Sequence, residues 1–463
     1  MMPFNKERAN KFSHENIINN YILKEKINEY RIAYDIDEGN RELISDVNSR
    51  FEYNNIIDNN IIKFIFTVDS SFTELPVNDE VPSAKIGIVN FSSNIIDLNK
   101  KSEIYDGGFV NPEKFNDIYN SKILTFICPT FNIVPKDNED MNIIDCIRKE
   151  IYNFYLTNSP FGEITLMESF INVLKSNLSS IRIRCSNENC KSNNNENDNF
   201  EISINELQDG YCICPFCGEK KYITDYLRLH ECVDLEFGHN TILTRFAQIT
   251  EHMLAINLID SLLKYKSYEL IRKTAFIIDG PLAIYGEPAK MHKSILKYLH
   301  YVSKQISNEI IYFGILKTGK LKDHFILLEK KLNEKENNIK KNSYLLVDDY
   351  YRFKYVQKSP VNNKFFGQEV LFGQDYLFYS DSAKKFVISM LYPIESKKGD
   401  FGRFIFKSEN YKNKDIIFNL INQISIDIYD DAILPIALSH KYAAISLNPG
   451  TDILEKFLKE NIQ

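Results

Sequence analysis

The sequence predicts an α/β fold, and three observations carry that expectation. Two apolar runs read as buried strands that each close on an aspartate: Lys63-Phe64-Ile65-Phe66-Thr67-Val68-Asp69-Ser70-Ser71 and Thr274-Ala275-Phe276-Ile277-Ile278-Asp279-Gly280-Pro281-Leu282. Four to six apolar or β-branched residues bounded by turn residues are the mark of such strands. Segments of helical periodicity lie between them, over residues 141–178 and again from Thr250 to Leu263. Two close cysteine pairs add a small metal-bound module inside the same stretch.

The first 60 residues are polar with scattered Ile, Tyr and Leu, as in Asn16-Ile17-Ile18-Asn19-Asn20-Tyr21-Ile22-Leu23. They predict one or two amphipathic helices, packed on the core or used for docking and dimerisation. The run Glu329-Lys330-Lys331-Leu332-Asn333-Glu334-Lys335-Glu336-Asn337-Asn338 predicts a charged, solvated helix or loop.

The cysteines are the strongest local signal. Cys185 and Cys190 form one pair, and Cys214-Pro215-Phe216-Cys217-Gly218 the other. Each pair presents two thiolates from one turn, and two turns complete a tetrahedral zinc site with no open position, so the metal is structural. Cys212 and Cys232 lie near enough to compete as ligands, whereas Cys128 and Cys146 read as buried small hydrophobes. The zinc ribbon is expected over residues 182–232, with Lys191–Asp198 as a polar loop that cannot pack a core.

Aspartates at the ends of neighbouring strands repel one another unless a divalent cation neutralises them, which makes Asp69 and Asp279 candidates for a metal-dependent hydrolase site. A third carboxylate is expected to complete it. Glu251 shares a helical stripe with Ala255, Leu258 and Leu262, at the core-facing edge near the start of its helix. Glu269 is the competitor. His440 is a candidate metal ligand or holder of the attacking water, in front of a small-residue strand. Lys317 is a candidate phosphate-binding point charge, and Arg403 reads as an ordinary base.

The motifs around these residues resemble the NurA nuclease family. Val68-Asp69-Ser70-Ser71 with the strand Ala84-Lys85-Ile86-Gly87-Ile88-Val89-Asn90 is similar to its first motif, and Ile277-Ile278-Asp279-Gly280-Pro281-Leu282 to its second. Ile311-Tyr312-Phe313-Gly314-Ile315-Leu316-Lys317-Thr318 resembles the family's strand ending in lysine. Leu434-Pro435-Ile436-Ala437-Leu438-Ser439-His440-Lys441-Tyr442-Ala443-Ala444 resembles the closing motif. The resemblance spans roughly residues 61–447. It implies a ribonuclease-H-like mixed sheet flanked by helices, with the nuclease core in two parts, 61–181 and 233–463, around the inserted ribbon. It also implies a homodimer around DNA, manganese- or magnesium-dependent cleavage with Asp69, Asp279, Glu251 and His440 about the cations, and a hexameric HerA-type ATPase as partner. The family's tyrosine eight residues before the histidine is replaced by Ala432, with Tyr429 the nearest substitute.

Composition sets outer limits. The 463 residues carry 56 basic and 63 acidic side chains, a net charge of −7, which argues against nonspecific coating of DNA. A hydrophobic fraction of 44% supports a sizeable core. No apolar run reaches a membrane span, and the first residues lack a signal-peptide apolar region, so a cytoplasmic protein without membrane contact is expected. The sequence shows no phosphate-binding loop of the Gly-rich Lys-Ser/Thr type, so ATP hydrolysis is not expected in this chain. The alternative to a nuclease is a non-catalytic DNA-binding or scaffold subunit of the same motor complex, which the Gly-to-Ser change at Asp69-Ser70 and the missing tyrosine favour.

Overall fold

The computed structural model describes residues 11–30, 43–44, 46–47, 49–57, 61–100, 105–106, 109–110, 119–130, 132–136, 138, 141–185, 187, 189–191, 201–207, 209–234, 238–359, 365–426, 432–445 and 450–462. Nine strands among them form one mixed sheet. Their order across it is Glu52–Tyr53, Ser343–Leu346, Gly373–Tyr379, Lys385–Leu391, Ile311–Leu316, Thr274–Asp279, Phe64–Pro76, Lys85–Asp97 and Tyr119–Pro129. The Asp279 strand (Thr274–Asp279) is central and runs parallel to both neighbours, the Lys317 strand (Ile311–Leu316) and the Asp69 strand (Phe64–Pro76). Every other pairing in this sheet is antiparallel. Parallel neighbours need a crossover, and the helix Met291–Gln305 supplies the one between Asp279 and Ile311. Central position and cover on both faces explain why Thr274–Ile278 is an unbroken buried run.

Side chains alternate between the two faces. Phe66, Val68, Phe276, Ile278 and Tyr312 pack against the helices Ile143–Thr157, Leu166–Lys175, Asn240–Lys264 and Met291–Gln305 through Ile151, Phe170, Phe246, Met253 and Ile295. Ile65, Ala275, Ile277 and Phe313 pack on the other face, against Phe418 and Ile421 of helix Lys414–Ile424 and Ile436 of helix Leu434–Ala443. The mixed sheet flanked by helices is therefore the observed architecture, and the helices expected within 141–178 are present.

Two element boundaries differ from the sequence reading. The Asp69 strand does not end at Asp69. It continues to Pro76, because its hairpin partner Lys85–Asp97 pairs with it along its whole length. Its pairing with the Asp279 strand, however, stops at Val68. Asp69 is the first residue beyond that edge, so it still opens into the space where the central strand ends. Glu251 is likewise not near a helix start: its helix begins at Asn240, and Glu251 lies in the middle of it.

The cysteine segment packs directly on the core. Its short strands pair as Ser180–Arg182 with Glu201–Ser203 and Tyr211–Ile213 with Lys220–Tyr222. Ile181, Ile183, Ile202, Ile223, Leu227 and Leu229 belong to the same apolar cluster as the sheet. Buried Arg148 fixes the contact with two bonds to Asp225, at 2.9 and 2.6 Å, and a third to the Lys220 carbonyl. At the N-terminus, helices Lys11–Asn19 and Tyr21–Asn28 are exposed over residues 15–30. Leu43 and Val47 already pack with Phe325 and Leu328 of helix Lys320–Asn333, and Glu52–Tyr53 forms the sheet edge. The charged run from Glu329 begins as the end of that helix, with Leu332 buried. No helix among the described residues is long and apolar enough to cross a membrane.

Candidate active site and cysteine cluster

The site forms where the central strand stops. Gly280 follows Asp279 with φ +112°, and its N–H donates to the Ile315 carbonyl at 2.9 Å. A Cβ on Gly314 would lie 2.1 Å from the Gly280 carbonyl oxygen, so glycine at 314 lets the two strand ends close up. This brings Lys317 Nζ to 2.5 Å from Asp279 Oδ2.

Asp69 and His440 meet beside them. His440 Nδ1 is 3.0 Å from Asp69 Oδ2, and the imidazole is otherwise largely exposed. His440 lies within helix Leu434–Ala443, not before a small-residue strand as its sequence suggests. Pro435 suits the first turn, and the Ala and Leu residues after it favour helix. Ser439 anchors that helix to the sheet: its hydroxyl is 2.5 Å from Thr67 Oγ1 and accepts from Asn94 Nδ2 at 2.5 Å. One turn later, the Ala443 carbonyl accepts from Ser71 Oγ and, at 3.1 Å, from Asn90 Nδ2. Thr67, Asp69 and Ser71 alternate onto the same face, which explains a polar stripe inside an apolar strand.

Glu251 reaches the cluster from the opposite face. It accepts a hydrogen bond from Ser70 Oγ at 2.5 Å, and Asp69, Asp279 and Lys317 all act on its carboxyl. Burial, with the two aspartates adding to it, holds Glu251 well above the usual carboxylate range. Burial, then Asp279, raises Asp69 as well, while Lys317 and His440 oppose the shift. Burial and mutual repulsion outweigh the local positive charge. Glu269 lies elsewhere, on the exposed turn before Thr274, paired with Lys273 at 2.8 Å. Five residues of extended strand, about 17 Å, separate Thr274 from Asp279. Arg403 is exposed and faces Asp400 at 3.6 Å. Tyr429 lies outside the described residues.

Three carboxylates and an imidazole, short of compensating charge, suit a hard divalent cation such as manganese or magnesium. Among the described residues, only the four cysteines close to within 4.8 Å of one another as a ready metal-ligating set. The carboxylates stand further apart, on two faces of the sheet. Ser70, Ser439, Thr67 and Asn94 were not singled out by the sequence reading. For Thr67 and Asn94 the signal was a polar residue at a buried strand position, which needs a partner.

The cysteine cluster is built from two turns. Cys185 and Cys217 sulfurs are 3.4 Å apart, and those of Cys190 and Cys214 are 3.8 Å apart. Four thiolates about 2.3 Å from a tetrahedral zinc would be roughly 3.8 Å apart, so the set could hold that ion. Gly218, at φ +79°, donates to the Cys214 carbonyl at 2.9 Å and closes the knuckle. Burial works against ionisation of Cys214, yet the backbone N–H groups of Phe216 and Cys217 help bring its thiol down to about 6. Cys212 and Cys232 are outside the cluster.

No protein-family model matches the chain, and no curated protein matches it. Solved structures do match. The chain is similar to the NurA nuclease from Sulfolobus solfataricus, at 9% identity and TM-score 0.34, over 98% of this chain and 99% of that one. It is also similar to NurA bound to dAMP and manganese, at 10% identity and TM-score 0.30, over 98% of each. The likeness spans the whole length and is loose.

Proposed function

We propose that this chain is a metal-dependent deoxyribonuclease of the NurA type. The observation that carries the proposal is the meeting of Asp69, Asp279, Lys317 and His440 on one face of the sheet, with Glu251 behind them. Asp69, Asp279, Glu251 and His440 would hold manganese or magnesium, two ions in the reading that the motif resemblance supports. When bound, such ions act as Lewis acids on a phosphodiester and lower the pKa of water. Lys317, at the rim, is placed to leave Asp279 for a non-bridging phosphate oxygen and offset charge as it develops there. The Asp69 carboxylate orients the His440 ring, which leaves the exposed Nε2 either to complete the shell of a cation or, where it stays free, to take or return a proton during attack by water. Ser70 holds the Glu251 carboxyl against the sheet.

The motif resemblance also supports a cytoplasmic homodimer that receives DNA from a hexameric HerA-type ATPase, in end processing or antiviral defence. The net charge of −7 fits a nuclease that relies on a partner to deliver its substrate. The purified chain, incubated with linear DNA and manganese, should release nucleotides or short fragments. Asp279→Asn should lower that rate by about 100-fold or more. Cleavage unchanged in Asp279→Asn overturns the assignment, and DNA binding without cleavage by the native chain favours the scaffold alternative. A HerA-type ATPase with ATP should accelerate degradation of a long duplex; no change removes the motor from the proposal.

A further inference from the structure

A cleft of about 260 Å³ opens at the foot of the cysteine cluster, and its charge is the reverse of the chain's. Arg182, Arg184, Arg228 and Lys290 line it, together with Asp225 and Glu231. Both carboxylates are already engaged. Asp225 takes buried Arg148 at 2.6 Å, and Glu231 takes Arg228 at 2.5 Å. Burial lowers the pKa of His230, against the pull of Asp225 3.9 Å away. Arg182, Arg184 and Lys290 make no ion pair among the described residues and are exposed. Three cations therefore converge on one concave surface without a salt bridge of their own, Arg184 acting on Glu231 only at longer range.

The scaffold holds them there. Residues 181–185 alternate buried and exposed, so Arg182 and Arg184 lie on one face, and Arg184 is fixed by the neighbouring metal-ligating position Cys185. Arg228 has φ +58°, a conformation costly for any residue other than glycine, at the joint between two short helical turns. Lys290 ends the turn Glu287–Lys290, which rests on the Glu251 helix through Arg245 and Glu287, 3.7 Å apart.

The cleft also lies at the right end of the molecule. The C-terminal end of the Glu251 helix leads through Tyr268–Arg272 into the start of the Asp279 strand. Its N-terminal half therefore lies at the end of the sheet where Asp279 stands. Arg245 and Glu251 are six residues apart, about 9 Å along the helix.

We propose that this cleft binds the phosphodiester backbone of a nucleic-acid strand whose continuation reaches the carboxylate cluster. The choice of ligand rests on the nuclease reading; the unpaired charge and its placement do not. Exposed arginines and a lysine give sequence-independent phosphate contacts, and such contacts are read by their salt dependence.

The test is binding of a fluorescent single-stranded 20-mer DNA, followed by anisotropy across a salt series without added divalent cation. The variant Arg182→Gln/Arg184→Gln/Lys290→Gln should bind about 10-fold more weakly, with the log–log salt slope reduced by about 2. Lys290→Gln alone, outside the cysteine segment, should reduce the slope by about 0.7. Unchanged zinc content and far-UV circular dichroism would show that the variants fold. Affinity and slope equal to those of the native chain would overturn the proposal, as would equal weakening of all variants at every salt concentration with no change of slope. Cleavage is not read, so a native chain that binds through the cleft yet never cuts DNA overturns the nuclease reading alone.

Discussion

His440 Nδ1 lies 3.0 Å from Asp69 Oδ2, and Ser439, the residue before it, is bonded to Thr67 and Asn94 on the sheet below. The histidine is exposed and the serine fully buried, so substitutions at the two positions should behave differently.

His440→Ala should lower DNA cleavage by about 100-fold and change stability by less than about 0.5 kcal/mol, as expected for an exposed proton-transfer group. Ser439→Ala should cost about 1–3 kcal/mol, because the buried Asn94 amide and Thr67 hydroxyl lose a shared partner. Urea denaturation and a cleavage assay on each variant check both. A His440→Ala protein that cuts DNA at the native rate would remove the histidine from the chemistry.

Glu251→Gln should stabilise the protein while abolishing cleavage. The folded state holds the Glu251 proton more tightly than the unfolded chain does, because burial and the two aspartates penalise its charge. Stability from this group is therefore greatest at low pH and falls as pH rises through the folded value, so at neutral pH, where the carboxyl of the unfolded chain is ionised, the group is a net cost to folding. Glutamine keeps an acceptor for Ser70 and removes the charge. In chelator at pH 7, Tm should rise by about 2 °C, with little gain at pH 4. A lower Tm at pH 7 would show that the carboxylate is compensated without a metal.

Freshly purified protein should carry about one zinc per chain, and Cys214→Ser/Cys217→Ser should release it. Ile181, Ile183 and Leu227, beside the cluster, are part of the main core, so the loss should spread beyond the segment. Tm should fall by ~5 °C, readable by calorimetry alongside metal analysis. Native protein free of zinc would refute the assignment.

Sequence by itself determined the strands, because a buried central strand must be apolar without interruption, and Thr274–Ile278 is. It also determined the cysteine cluster, since four thiols on two knuckles have few other uses, and it singled out Asp69, Asp279, Lys317 and His440 as polar groups at the ends of apolar runs or motifs. Only the tertiary structure decided where those groups stand. Asp69 lies within a long strand, and it reaches the site because its parallel pairing with the central strand stops at Val68. Glu251 rather than Glu269 stands by the aspartates, since their helix and turn lie at opposite ends of the Asp279 strand. Ser439, Thr67 and Asn94 could not be connected from sequence, because their bonds join positions more than 300 residues apart. The periodicity of a chain tells which residues face inward; which inward-facing polar groups meet is fixed by strand order and register, and these depend on the whole sheet.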